Sequence, residues 1–186
     1  MPAAPSARYS GVAMALHWLM AVLVAANLAG GHLIELAEEG GATGKATAAT
    51  LVMLHMSTGV TILALTIGRI GWRLGHAPPP WPTYMTRFER WAAGLVHLGF
   101  YALLLVLPLS GWAMQSTRQT PEPVPWFGLA ALPPLPLPRS LAGLFHESHE
   151  LLGWAMVALL LLHVGAALKH RWLDRDDILA RMLPRR

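Results

Sequence analysis

The sequence predicts an all-α integral membrane protein, a four-helix transmembrane bundle with both termini cytoplasmic. Three observations carry that prediction. Apolar residues make up 54 % of the 186 and charged residues only 13 %, about half the usual charged share, and the mean hydropathy is +0.44. So few charges could not cover the surface of a soluble protein of this size. Four long runs carry no charge: 26 residues between Arg8 and Glu35, 23 between Lys45 and Arg69, 27 between Arg90 and Arg118, and 18 between Glu150 and Lys169. Each is close to or above the roughly 20 residues that a helix needs to cross the hydrocarbon core. The basic residues, finally, are one-sided. Eleven of fourteen fall in the N-terminus (Arg8), the loop between the second and third runs (Arg69, Arg73, Arg87, Arg90) and the C-terminal tail (Lys169, Arg171, Arg175, Arg181, Arg185, Arg186). Positive charge marks the cytoplasmic side.

The spans are expected near 12–34, 47–72, 91–116 and 146–172, as one domain over 1–186. The first run has one basic flank, Arg8, and is too long for the apolar region of a secretory signal, so it reads as a retained helix. Residues 38–45 are Gly-rich and read as a loop. His-Ala-Pro-Pro-Pro-Trp-Pro at 76–82 cannot be helical throughout. Pro108 should kink the third span. Seven prolines lie between Pro121 and Pro138, where an extended cap or a short re-entrant turn is expected. Trp18, Trp72, Trp91 and Trp172 belong to interfacial belts, and the methionines read as packing residues. A basic pI near 10 follows from the topology, and no nucleic-acid motif is present.

The chain has no cysteine. That excludes disulfides, zinc–thiolate and iron–sulfur sites, thiol nucleophiles and covalent c-type haem. Histidine is therefore the candidate ligand. Five of the nine histidines fall in or near the spans: His17, His55, His97, His149 and His163. Ionisable groups there are costly and usually functional. His149 and His163 are fourteen residues apart on the fourth span, which returns the side chain to within about 40° of one face and separates the pair by roughly 21 Å along the axis. One helix face thus offers an imidazole near each membrane surface, which suits two stacked haems. Depth selects the partners: His55 with His149 on the outer side, and His17 with His163 on the inner. His97 lies at the same inner depth and rivals His17; its other reading is a packing or quinone-pocket histidine. Gly59 and Gly153 each follow an outer histidine by four and leave room for a flat macrocycle. His32, His76, His146 and His170 read as interfacial. Arg8, Arg69, Arg73, Lys169 and Arg171 stand where inner propionates or a quinone head group would end. Lys45, Arg118 and Arg139 stand where outer propionates or a small anion would be.

These residues resemble the prokaryotic cytochrome b561 family. The matching stretches include Arg-Tyr-Ser (8–10), Leu-His-Trp-Leu (16–19), Leu-His-Met-Ser-Thr-Gly (54–59) and Gly-Leu-Val-His-Leu-Gly (94–99). Leu-Pro-Leu-Ser-Gly-Trp (107–112), Trp-Phe-Gly-Leu (126–129), His-Glu-Leu-Leu-Gly (149–153) and Leu-His-Val-Gly-Ala-Ala-Leu-Lys-His (162–170) follow in order, with a tail at 176–184. The resemblance implies a bacterial inner-membrane protein with two non-covalent haem b groups. The inner would be ligated from spans one and four and the outer from spans two and four. It also implies electron exchange with ubiquinone. Compact members of similar length are superoxide:ubiquinone oxidoreductases; others are haem-bearing membrane anchors that relay electrons for a separate dehydrogenase or a periplasmic redox partner. The expected partners are the lipid bilayer, ubiquinone and superoxide or such a redox protein.

Overall fold

The computed structural model describes residues 8–184; Arg185 and Arg186, counted above among the tail's charges, lie outside the described residues. Four long helices dominate: α1 (Gly11–Glu38), α2 (Gly41–Gly75), α3 (Arg87–Ser116) and α4 (Ala142–Lys169). Each is long and apolar enough to cross a membrane, and large apolar side chains such as Val22, Leu74, Leu151 and Leu161 point outward. With no water to satisfy the backbone inside a bilayer, a helix that closes its own hydrogen bonds is the available spanning form. The chain is a four-helix membrane bundle.

The helix ends follow local chemistry. Ser10 caps α1 by accepting from the Ala13 N–H at 3.3 Å. Thr86 and Glu89 form a reciprocal capping box at the start of α3, as a Thr-x-x-Glu sequence allows. The turn between α1 and α2 is shorter than the Gly-rich loop expected over 38–45. α2 already begins at Gly41, so Lys45 is helical. Two glycines suffice for that reversal: Gly41 takes φ +67°, and a Cβ on Gly44 would lie 2.3 Å from the Ala37 carbonyl oxygen. Only a residue without a side chain lets the two helix ends approach so closely. The segment 76–82 is non-helical, as its prolines require, and α3 continues as one helix through Pro108. α4 starts at Ala142, directly after a 3₁₀ turn at Arg139–Leu141, and so earlier than position 146.

The Pro-rich segment folds into an antiparallel hairpin of β1 (Val124–Trp126) and β2 (Ala130–Leu132), with Val124 opposite Leu132. It is pinned to α2 and α3. Buried Ser57 donates to the Pro125 carbonyl at 3.1 Å and accepts from the Phe127 N–H at 3.0 Å. The Trp126 indole donates to Thr61 Oγ1 at 3.0 Å, and the Leu135 N–H to Ser116 Oγ at 2.9 Å. Thr61 lies six residues further along α2 than His55, so the Trp126 side chain reaches past the depth of His55.

Closely packed helix pairs are α1 with α2, α2 with α3, and α3 with α4. Among the described residues α4 makes no comparable backbone approach to α1 or α2. The core lies at mid-height, where Met20, Val24, Ile62, Leu104 and Met156 meet. Met156, 1 % exposed, is seven residues from His149 and seven from His163. An apolar plug therefore separates the two histidine levels.

Candidate functional site

Each histidine level is built by helices that face one another across space the backbone leaves open. At the hairpin end, His55 of α2 and His149 of α4 have ring centroids 6.2 Å apart. At the other end, His163 of α4 lies 6.1 Å from His17 of α1 and 6.1 Å from His97 of α3. Metal–nitrogen bonds of about 2 Å on both faces of an iron, plus roughly 1 Å from nitrogen to ring centre on each side, put trans imidazole centres about 6 Å apart. Both levels have that spacing.

The hairpin-end rings are also oriented for ligation. His55 Nδ1 donates to the Asn27 carbonyl at 3.1 Å. A carbonyl only accepts, so the proton sits on Nδ1 and Nε2 is the bare nitrogen. His149 Nδ1 faces the Leu107 carbonyl at 3.2 Å and Ser110 Oγ at 3.0 Å. Ser110 itself donates to Leu107 at 2.8 Å, so its oxygen is an acceptor for the ring and Nε2 is again left bare. A carbonyl behind a ligand imidazole is the usual second partner in metal sites. Gly111 completes the seat: a Cβ there would stand 2.9 Å from His149 Cε1. A Cβ on Gly153, by contrast, would meet nothing within 4 Å, and one on Gly59 only Asn27 Nδ2 at 4.0 Å.

The tail-end level differs. His17 contacts Trp18 edge-on at 5.2 Å and His163 contacts Phe100 edge-on at 5.2 Å. Trp81, from the Pro-rich loop, lies nearly parallel to His97 with centroids 6.5 Å apart. Arg69 of α2 reaches into this level: its Nη1 is 3.9 Å from Met20 Sδ, and its guanidinium is 5.8 Å from the Tyr101 ring centre. Lys169 is engaged elsewhere, 2.5 Å from Asp174 and 3.5 Å from Glu89. Glu89, His170 and Asp174 converge closely enough to hold a cation, and the Lys169 ammonium already pairs with both carboxylates there. Arg8 donates to the Leu183 carbonyl. At the hairpin end Arg118 donates to Gln115 Oε1 at 3.0 Å. With Arg139 it lines an open cavity of about 530 Å³, and with Lys45 and Glu38 one of about 730 Å³.

Of the interfacial histidines, His76 stacks on Trp72 at 3.6 Å, His170 pairs with Asp176 at 2.6 Å, and His32 faces Glu35 at 3.5 Å. Asn27 escaped the sequence reading, and Ser110 and Gly111 entered it only within the 107–112 stretch, without a role. Their one signal was the Ser-Gly pair two residues past an intramembrane proline.

Imidazoles stacked at two levels of a four-helix membrane bundle are the frame of a membrane b-type cytochrome. The chain belongs to the prokaryotic cytochrome b561 family, whose model matches residues 8–185. It is 34 % identical to cytochrome b561 homolog 2 of Escherichia coli K12 over 180 residues, 95 % of this chain and 91 % of that one. It is 28 % identical to a probable superoxide oxidase, CybB, of Yersinia pestis (96 % and 97 % covered). It is 30 % identical to cytochrome b562 of Cereibacter sphaeroides (94 % of each). Membership implies haem b and a role in electron transport.

Proposed function

We propose that this protein carries two haem b groups, one at each histidine level, and passes electrons from the outer face of the bacterial inner membrane to ubiquinone at the inner face. The observation that carries the reading is the pair of levels with ring centres 6.1 and 6.2 Å apart at two heights on one face of α4. The haems supply one-electron chemistry; the protein supplies position, ligation and electrostatics. His55 and His149 hold the outer group through Nε2. His163 holds the inner one. Its partner in this reading is His17, because α3 packs too closely on α4 to admit a macrocycle between His97 and His163, whereas α1 stands off. His97 then remains free beside Trp81 to hydrogen-bond a quinone oxygen, with Arg69 and Arg73 near enough to favour negative charge there. The apolar plug around Met156 keeps water out between the two levels.

Positive-inside asymmetry supports a topology with both termini and the 76–86 loop in the cytoplasm and the hairpin on the periplasmic side. The Y. pestis relative's description brings superoxide in as donor. Two superoxide anions would give up one electron each, leaving two dioxygen molecules, while ubiquinone takes two electrons and two protons to become ubiquinol. Arg118, Arg139 and Lys45 are the charges that would draw the anion to the outer level.

A pyridine haemochrome assay on the purified chain is expected to give two haems per polypeptide, and the isolated chain is expected to reduce a soluble ubiquinone when superoxide is generated. One haem or none refutes the di-haem reading. Two haems without quinone reduction under any superoxide source point instead to a haem-bearing anchor for a separate dehydrogenase. A cytoplasm-dependent fluorescent reporter fused at the C-terminus is expected to be bright; a dark one reverses the topology.

A further inference from the structure

The two histidine levels are electrostatically unequal, and the inequality has a direction. On α2, His55, Gly59, Ile62, Thr66 and Arg69 follow one another at intervals of three and four, so they share one face. Ile62 is 4 % and Thr66 0 % exposed, which fixes that face as the one turned into the bundle. Arg69 is fourteen residues past His55, the same spacing that separates His149 from His163 on α4. Where α2 presents an imidazole to the outer level, it presents a guanidinium to the inner one. Among the described residues no carboxylate lies within ion-pair distance of Arg69; its neighbours are Met20 Sδ and the Tyr101 ring.

The outer level has the opposite character. Its imidazole Nδ1 protons are given to the Asn27 carbonyl and to the Leu107 carbonyl and Ser110 hydroxyl. Such hydrogen bonds push electron density onto the ligating nitrogen and make it a stronger donor, which stabilises ferric iron. At the inner level Arg69 brings a cation to the depth of His163, against Met20 and Tyr101, and a cation stabilises the form of the site carrying the extra electron.

We propose that Arg69, with the outer imidazole–carbonyl hydrogen bonds, sets the direction of electron flow by making the inner haem the one with the higher midpoint potential. This rests on the di-haem reading. One electron crosses, oxidising ferrous iron held by His55 and His149 and reducing ferric iron held by His163; no bond forms or breaks. Arg69 is a positioning residue for charge, not a ligand.

The test is a spectroelectrochemical titration of the purified holoprotein. His55→Ala, expected to keep only the inner haem, identifies which wave belongs to which level. The inner wave is expected to be the higher. Arg69→Gln is expected to keep both haems and to lower the inner wave alone. One electron's partition between the levels should shift outward on the order of tenfold, the effect of a unit charge about 10 Å away at an effective dielectric of about 20. Arg69→Lys should restore most of that shift, which a merely structural role would not. Ser110→Ala, which weakens the hydrogen bond behind His149, should raise the outer wave. An outer wave above the inner one overturns the proposal. So does an Arg69→Gln protein whose waves stay put or move together. A wild-type protein with fewer than two haems instead overturns the di-haem reading, and this proposal with it.

Discussion

At the scale of single residues, two substitutions separate positions that spacing along the chain could not. His17 and His97 lie at equal centroid distances from His163, so distance does not choose between them, and the proposed choice of His17 rests on helix packing. His17→Ala is expected to abolish the inner haem and keep the outer, read from the two optical components. His97→Ala is expected to keep both haems and slow quinone turnover. The reverse pattern would exchange their roles. Gly111→Ala tests the seat of His149. A Cβ at 2.9 Å from the ring must displace it, and overpacking of this kind costs about 1–3 kcal/mol. Partial or complete loss of the outer haem is expected, with the inner spectrum unchanged; a variant with both spectra intact would show that the ring adjusts freely. The histidines themselves were legible in the sequence because an imidazole inside an apolar run is rare and its depth can be counted from the nearest charges. Gly111 was not. Its role is set by the approach of a different helix, which no period along α3 encodes.

At the scale of elements, the four helices were legible because charge-free length is a one-dimensional quantity, while their starts were not. α2 begins at Gly41, ahead of Lys45, because two glycines are enough to reverse the chain. α4 begins at Ala142 because the 3₁₀ turn feeds it directly. The hairpin was legible as an extended, Pro-rich cap or a short re-entrant turn. Its depth came from side chains on other helices, above all Ser57 and Thr61. Ser57 is 0 % exposed and bridges the Pro125 carbonyl and the Phe127 N–H. Ser57→Ala leaves both backbone groups without their partner, at a cost of about 1–3 kcal/mol for each buried group left unsatisfied. A lowered melting temperature, followed by haem absorbance in detergent, is expected, with both haems still bound at low temperature. An unchanged melt would mean that the hairpin is held by its apolar contacts alone.

At the scale of the whole molecule, the tail end of the bundle is closed by a clasp that joins segments far apart in sequence. The Tyr9 N–H donates to the Arg181 carbonyl at 3.3 Å, and the Trp18 indole to the Met182 carbonyl at 2.8 Å. Arg181 Nη1 donates to the Pro80 carbonyl at 3.0 Å and its Nε to Asp177 at 3.4 Å. Tyr84 donates its hydroxyl to Asp177. Start, loop and tail thus meet beside the residues flanking His17 and His97. The Tyr84 phenol reports whether this clasp is closed. Partial loss of hydration, the hydrogen bond to Asp177 and the nearby charges of Asp176 and Asp177 push its pKa up from 10.0 to about 12. The neutral phenol is the form the folded state prefers, so its contribution is fully present below pH 10 and fades as pH rises through about 12. The expected result is a late phenolate transition in the ultraviolet spectrum, absent from Tyr84→Phe. The melting difference between wild type and Tyr84→Phe should likewise be constant below pH 10 and shrink above it. A Tyr84 that titrates near its ordinary value would mean that the tail does not rest on the loop in solution.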